Sequence, residues 1–113
     1  MKIDIEQVGN ILKIVEMLGD NNKPDNDSHF FNIGKNYLIR TVTMIYTGKL
    51  KAVSDKEILI VDASWIADTG RFHDALKSCD FLEVEPFIND VIIGRNAIVD
   101  ATIIDGLLPN EQK

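Results

Sequence analysis

The chain has 113 residues, 45% of them hydrophobic and 27% charged, which suits one soluble domain with a single modest core. Its 18 acidic and 12 basic residues give a net charge of −6, which opposes a general phosphate-binding surface and disfavours nucleic acid as a partner. The single cysteine, Cys79, excludes an internal disulfide, disfavours Cys-based metal binding and fits a reducing cytoplasm.

Residues 1–19 predict an N-terminal amphipathic helix, with Asp4 as the N-cap and Gly19 just past its C-terminal end. Its apolar residues recur at steps of three and four, namely Ile5, Val8, Ile11, Leu12, Val15 and Leu18. Residues 20–28 contain no apolar side chain and predict a flexible linker. The helix is expected to dock on its own domain or on a neighbouring subunit. No targeting segment and no membrane-spanning run is predicted.

Three antiparallel strands are predicted next, because β-branched and aromatic residues alternate with polar ones. The first covers residues 37–46 and turns at Thr47-Gly48 into the second, residues 49–53. A polar turn at residues 54–57 leads into the third strand, residues 58–61. A meander is the simplest topology for these strands.

A polar loop over residues 62–72 follows the third strand, and residues 71–79 predict a short helix from the spacing of their apolar side chains. Further strands are predicted over residues 81–87, 91–95 and 97–104. Residues 29–106 are therefore expected to form a small β-barrel domain, followed by a C-terminal tail over residues 107–113.

Two segments resemble the motifs of the Sm-like family, which includes the Hfq RNA chaperones. Gly48-Lys49-Leu50 with Ile58-Leu59-Ile60 resembles the first motif, and residues 91–98, containing Gly94-Arg95-Asn96, resemble the second. The resemblance implies a mainly β (α+β) fold, a small Sm/SH3-like barrel here carrying an N-terminal helix and a short inserted helix. It also implies a homo-oligomeric ring in which the Arg95 turn contacts RNA. Residues 54–57 lack the Asn that the family supplies to that site.

A second resemblance concerns residues 37–43 and 63–72, which look like segments of small uncharacterised phage and prophage proteins. It implies a viral accessory protein, located in the host cytoplasm or the virion. It implies no residue roles.

Asp68-Thr69-Gly70 and the segment Ile92-Ile93-Gly94-Arg95-Asn96 resemble the two motifs of retroviral aspartic proteases, which implies a homodimer using Asp68. Only 21 residues, 71–91, separate the motifs, too few for a flap hairpin and its supporting strands. Arg71 would also favour ionisation and oppose a proton shared between two carboxylates. The simpler interpretation is that Asp68 or Thr69 caps the following helix and Gly70 permits a tight turn.

The favoured prediction is a non-catalytic, homo-oligomeric accessory binding protein with no cofactor and no metal site. Its partner is expected to be a protein or a small anionic or nucleotide ligand, contacted by the 65–72 loop and the Arg95 turn. The candidate binding residues are Trp65, Asp68, Thr69, Arg71, Phe72, Arg95 and Asn96. Trp65, Arg71, Phe72 and Arg95 are expected to converge at a subunit boundary. The alternatives are a structural virion protein, an Hfq-like RNA binder and, least favoured, an aspartic protease.

Overall fold

A computed structural model describes residues 29–113. The chain divides into two units, Met1–Phe31 and Asn32–Lys113, and the second is described in full. The helix predicted over residues 1–19 and the linker predicted over residues 20–28 lie outside the described residues.

Six antiparallel strands and one short helix make up the second unit, which confirms the mainly β class and the inserted helix. The elements are β1 (Asn36–Thr41), β2 (Ile45–Val53), β3 (Glu57–Asp68), α1 (Phe72–Ser78), β4 (Glu83–Pro86), β5 (Val91–Gly94), a 3-10 turn (Arg95–Ala97) and β6 (Ile98–Ile103).

The sheet is built around β3, the longest strand at 12 residues. The strand order is β4-β3-β2-β1-β6, and β5 pairs with the first part of β3 beside β4. Residues 57–60 of β3 pair with β5, whereas residues 64–68 pair with β4. No ladder joins β6 to β4 or β5 within residues 29–113, so the sheet is open and the expected barrel is not closed.

The first hairpin turns at residues 42–44, so the turn predicted at Thr47-Gly48 is wrong. Thr41 closes the turn, because its N–H and its hydroxyl each donate to the Met44 carbonyl at 2.8 Å and its Oγ1 accepts the Met44 N–H at 2.9 Å. Gly48 instead lies within β2, where a Cβ would be 2.9 Å from Cδ1 of Ile60. This glycine permits close packing of β2 on β3 and does not mark a turn.

The third strand continues past residue 61 to Asp68, so the predicted polar loop begins later than the sequence indicated. Asp62 has φ = 51°, a left-handed conformation that Asp tolerates better than most residues. Beyond it, Ala63, Ser64 and Ile66 are buried. β3 therefore bends at Asp62 and then continues as the central strand between β2 and β4.

The helix-side core lies between α1, the sheet and the C-terminal tail. Its buried members are Leu38, Ile66, Ala75, Phe81, Val84 and Ile104. Leu108 of the tail packs against this core, and the Ser64 hydroxyl donates to the Pro109 carbonyl at 2.9 Å. Lys113 and Val84 exchange two backbone hydrogen bonds of 3.0 and 3.2 Å. The tail therefore docks along β4 and covers its outer edge.

A further set of buried side chains lies on β1, β2, β3 and β5, outside the helix-side core. They are Ile39, Leu50, Ile58, Ile60 and Ile93, all 5% exposed or less.

Candidate binding site

An exposed aromatic face lies on β2, β3 and the segment after β4. Trp65 is the cross-strand partner of Tyr46 on one side and of Glu85 on the other, and directly opposed residues point to the same face of a sheet. The rings of Tyr46 and Phe87 stack with centroids 6.0 Å apart and an interplanar angle of 23°. Trp65 and Phe87 are each 39% exposed. We call Tyr46, Trp65 and Phe87 the aromatic face.

Local sequence explains this exposure. Ser64 and Ile66 are buried, so the two-residue period of a strand turns Trp65 between them to the opposite face. Phe87 is held after β4 because its N–H donates to the Ala63 carbonyl at 2.9 Å. The Tyr46 hydroxyl is held by a contact to the Met44 sulfur at 3.5 Å. The backbone that carries the three rings is therefore fixed by hydrogen bonds to neighbouring strands.

Carboxylates border the aromatic face along β4. Glu85 lies directly opposite Trp65, and Glu83, two residues earlier on the strand, points to the same face. Both are exposed. The Gln112 amide lies 3.3 and 3.4 Å from the two Glu85 carboxylate oxygens and donates to them. The surroundings of Trp65 are therefore apolar and acidic.

The segment after β3 contains the Asp68-Thr69-Gly70 triplet, and its carboxylate serves a turn. Asp68 Oδ1 accepts the Gly70 N–H at 2.9 Å, and Gly70 has φ = 74°, so the predicted tight turn at this glycine is confirmed. The N-cap of α1 is Arg71, with no side-chain capping bond. Helix capping by Asp68 or Thr69 is therefore wrong, because the triplet ends before the helix begins.

Phe72, the first residue of α1, packs against a charged pair. The Arg40 guanidinium carbon lies 5.1 Å from the centroid of the Phe72 ring. Arg40 Nε donates to Asp100 Oδ1 at 2.8 Å, and Nη2 donates to Oδ2. Hydrogen bonding to Arg40 lowers the pKa of Asp100, and the same bond raises the pKa of Arg40. Phe72 is thus engaged within its own chain, on the sheet face opposite the aromatic face.

Arg95 lies at the other end of β3. Its N–H donates to the Lys56 carbonyl at 2.9 Å, and its Nη1 donates to the Ser54 carbonyl at 2.7 Å. These bonds fasten the turn between β2 and β3. Glu57, which pairs with Gly94, lies eight positions before Trp65 on β3, a separation of at most about 26 Å along the strand. Asn96 is exposed beside Arg95.

One chain therefore does not gather all of the predicted binding residues. Trp65 and Asp68 share the final part of β3, Thr69 and exposed Arg71 follow in the connection to α1, and Arg95 is remote. Convergence across a subunit boundary remains a prediction. Tyr46 and Phe87 were not predicted as binding residues. The alternation of side chains around Trp65 indicated that it lies on a strand, but not which residues lie beside it.

A groove of about 390 Å³ lies beside the aromatic face, between the bend of β3 and the C-terminal tail. Its lining residues are Asp62, Ala63, Ser64, Pro86, Phe87, Leu108, Pro109 and Asn110. Phe87 is the residue that the groove shares with the aromatic face.

No protein-family model, curated protein or solved structure matches the chain. Within residues 29–113, no cluster of three or more His, Cys, Asp or Glu side chains could hold a metal ion. Over the same residues, no helix is long and apolar enough to cross a membrane.

Proposed function

We propose that the chain is a non-catalytic binding protein that recognises a protein partner through the aromatic face. The observation that carries this proposal is the exposure of Trp65 and Phe87, 39% each, on backbone fixed by strand pairing. Exposed aromatic side chains on a rigid element offer large contact area at a small entropic cost, and Trp and Tyr dominate binding energy at protein interfaces.

The carboxylates beside the aromatic face indicate which kind of partner would bind there. Glu85 and Glu83 lie on the same face as Trp65, and the chain carries a net charge of −6. A segment combining apolar side chains with Lys or Arg would satisfy both features, because the cation can pair with a carboxylate or lie over the indole ring. A nucleotide or other small anion fits this face less well, since Glu85 is the direct neighbour of Trp65.

We also infer that the sheet is an open, elaborated version of a small Sm/SH3-like barrel. Support comes from β1, which pairs with both β2 and β6, and from the short 3-10 turn that links β5 to β6. In this interpretation, α1 and β4 are an insertion between β3 and β5, two strands that pair with each other. The RNA-binding alternative is weakened because the Arg95 side chain donates to the Ser54 carbonyl. A phage origin and a virion role remain proposals that only the resemblance of residues 37–43 and 63–72 supports.

Peptide selection tests the proposed function. A random peptide library displayed on phage would be selected on the full chain, and the recovered peptides would be assayed against Trp65→Ala and Phe87→Ala. We expect peptides rich in apolar and basic residues, whose affinity falls at least about tenfold with each variant, equivalent to about 1.4 kcal/mol. Ile92→Ala, at an apolar side chain 64% exposed on β5, is the matched control and should retain binding.

Two results would contradict the proposal. Selected peptides that bind Trp65→Ala and Phe87→Ala as tightly as the unaltered chain would place recognition elsewhere. Saturable binding of nucleotides at micromolar concentration, lost in Trp65→Ala, would assign the face to an anionic ligand instead. Each variant should keep the melting temperature of the unaltered chain, which shows that the substitution removes an aromatic side chain without unfolding the domain.

A further inference from the structure

The groove between the bend of β3 and the C-terminal tail is large, and its lining carries a charge. Its volume of about 390 Å³ lies within the range of about 300–1,000 Å³ that is usual for ligand pockets. Exposed Asp62 and Asn110 contribute polar side chains to the lining, and Phe87 contributes an aromatic ring. The Ser64 hydroxyl is already engaged, because it donates to the Pro109 carbonyl. Among the lining residues, all within the described part of the chain, Asp62 alone is charged.

An irregularity in the sheet places Asp62 at this groove. Between Thr47 and Lys49 the register of β2 on β3 shifts, so that residues 62 and 63 together oppose residue 48, as in a β-bulge. Asp62 itself has φ = 51°, in the left-handed region. Bulges redirect side chains and are common beside binding sites, and residues other than glycine held in the left-handed region are also enriched there. The irregular backbone therefore coincides with the charged residue of the groove.

The carboxylate of Asp62 has no partner in the described part of the chain. No ion pair and no side-chain hydrogen bond joins it to any residue from 29 to 113. Two carboxylates of the neighbouring segment are engaged, since Glu85 accepts the Gln112 amide and Asp80 is paired with Lys113. Charge-assisted hydrogen bonds are about twice as strong as neutral ones. A cation supplied by a ligand would therefore gain more from Asp62 than from these two carboxylates.

We propose, on the basis of the proposed function, that the groove holds an arginine side chain of the partner segment that covers the aromatic face. A guanidinium is planar and has several N–H donors, so it can donate to the Asp62 carboxylate and the Asn110 side-chain oxygen. Its flat face can lie against the Phe87 ring. Phe87 belongs to both the groove and the aromatic face, so one bound segment reaches both. Lysine, a single point of charge without a planar face, should bind more weakly.

Nuclear magnetic resonance of the isotope-labelled full chain tests the groove without any partner protein. The probe is N-acetyl-arginine N-methylamide, and its control is the citrulline analogue, which keeps the shape but lacks the charge. We expect amide shifts at residues 62–64, 87 and 110 that saturate with a dissociation constant on the order of millimolar. The citrulline probe should bind at least about fivefold more weakly. Equal binding of the two probes, or no shift at these residues with the arginine probe at about 50 mM, would overturn the proposal.

Three variants test the residues that hold the guanidinium. Asp62→Asn should weaken the arginine probe at least about fivefold, and it keeps the backbone because asparagine tolerates the left-handed region. Asp55→Asn removes the same charge from an exposed residue of the turn between β2 and β3, and should leave binding unchanged. Asn110→Asp adds a second carboxylate and should strengthen binding at least about twofold. Unchanged binding to Asp62→Asn, or an equal loss in Asp55→Asn, would refute the assignment.

A selected peptide that contains arginine separates the groove from the aromatic face. Replacing that arginine with citrulline and making Asp62→Asn should each weaken the peptide at least about fivefold, and the two changes together should weaken it no further. Independent, multiplying losses would show that the arginine lies outside the groove, while a loss of binding in Trp65→Ala would still support the aromatic face. Coupled losses with Trp65→Ala binding normally would support the groove as an arginine site and contradict recognition through the aromatic face.

Discussion

Gly48 gives a sharp test of how β2 packs on β3. A Cβ at this position would lie 2.9 Å from Cδ1 and 3.1 Å from Cβ of Ile60, closer than side-chain carbons approach without displacement. Ile60 is fully buried and cannot move into solvent. Overpacking of this kind costs about 1–3 kcal/mol, so Gly48→Ala should lower the free energy of unfolding by about 2 kcal/mol. In a domain of this size, the melting temperature should fall by about 8 to 16 °C.

The assay is chemical denaturation in urea followed by circular dichroism, with Gly94→Ala as the matched control. No atom lies within 4 Å of a Cβ added at Gly94, and its φ of −67° suits any residue. That variant should be neutral or more stable by up to about 1 kcal/mol, since alanine restricts the unfolded chain. In a double-mutant cycle, Ile60→Val removes the clashing Cδ1 and should recover part of the Gly48→Ala loss. Equal stabilities for Gly48→Ala and Gly94→Ala would refute the reasoning.

Three more substitutions test other contacts by urea denaturation. Asp100→Asn removes a carboxylate whose pKa Arg40 lowers, so the ion pair contributes stability above the ordinary carboxyl pKa of about 3.9 and loses it as pH falls through the lower folded-state value. The stability difference from the unaltered chain should therefore shrink with acid and with salt; a difference independent of pH would contradict this. Thr41→Val keeps the side-chain shape but loses both hydroxyl bonds to Met44, and should destabilise by about 1–2 kcal/mol; an unchanged midpoint would show that the turn does not need them. Gly70→Ala forces a Cβ into φ = 74° and should cost about 1–2 kcal/mol, whereas a neutral result would contradict the left-handed turn.

Sequence patterns predicted the element types better than their boundaries. The strand-rich class and the helix near residues 71–79 follow from periodicity, and the observed α1 spans Phe72–Ser78. The first turn was predicted at the wrong place because Gly48 was interpreted as a turn residue. Gly48 instead lies within β2, where the absence of a Cβ lets the strand approach Ile60 closely. That role depends on residues 12 positions apart in sequence being adjacent on paired strands, which local composition does not reveal.

The grouping of side chains around Trp65 could not be predicted from the sequence, for a related reason. Asp62 and Asp68 made the segment after residue 61 look like a loop, yet the first bends the strand and the second closes the turn after it. Trp65, one of the predicted binding residues, is 39% exposed on β3, and its binding role stays a prediction. Its neighbours Tyr46 and Phe87 were missed, because strand register sets that grouping.

The most direct test of the central claim uses the fluorescence of Trp65, the single tryptophan of the chain. Titration with a selected apolar and basic peptide should shift its emission to shorter wavelength as the indole leaves water. The shift should saturate with the same dissociation constant that calorimetry gives for the peptide. A peptide that binds by calorimetry while Trp65 emission stays unchanged would contradict recognition through the aromatic face.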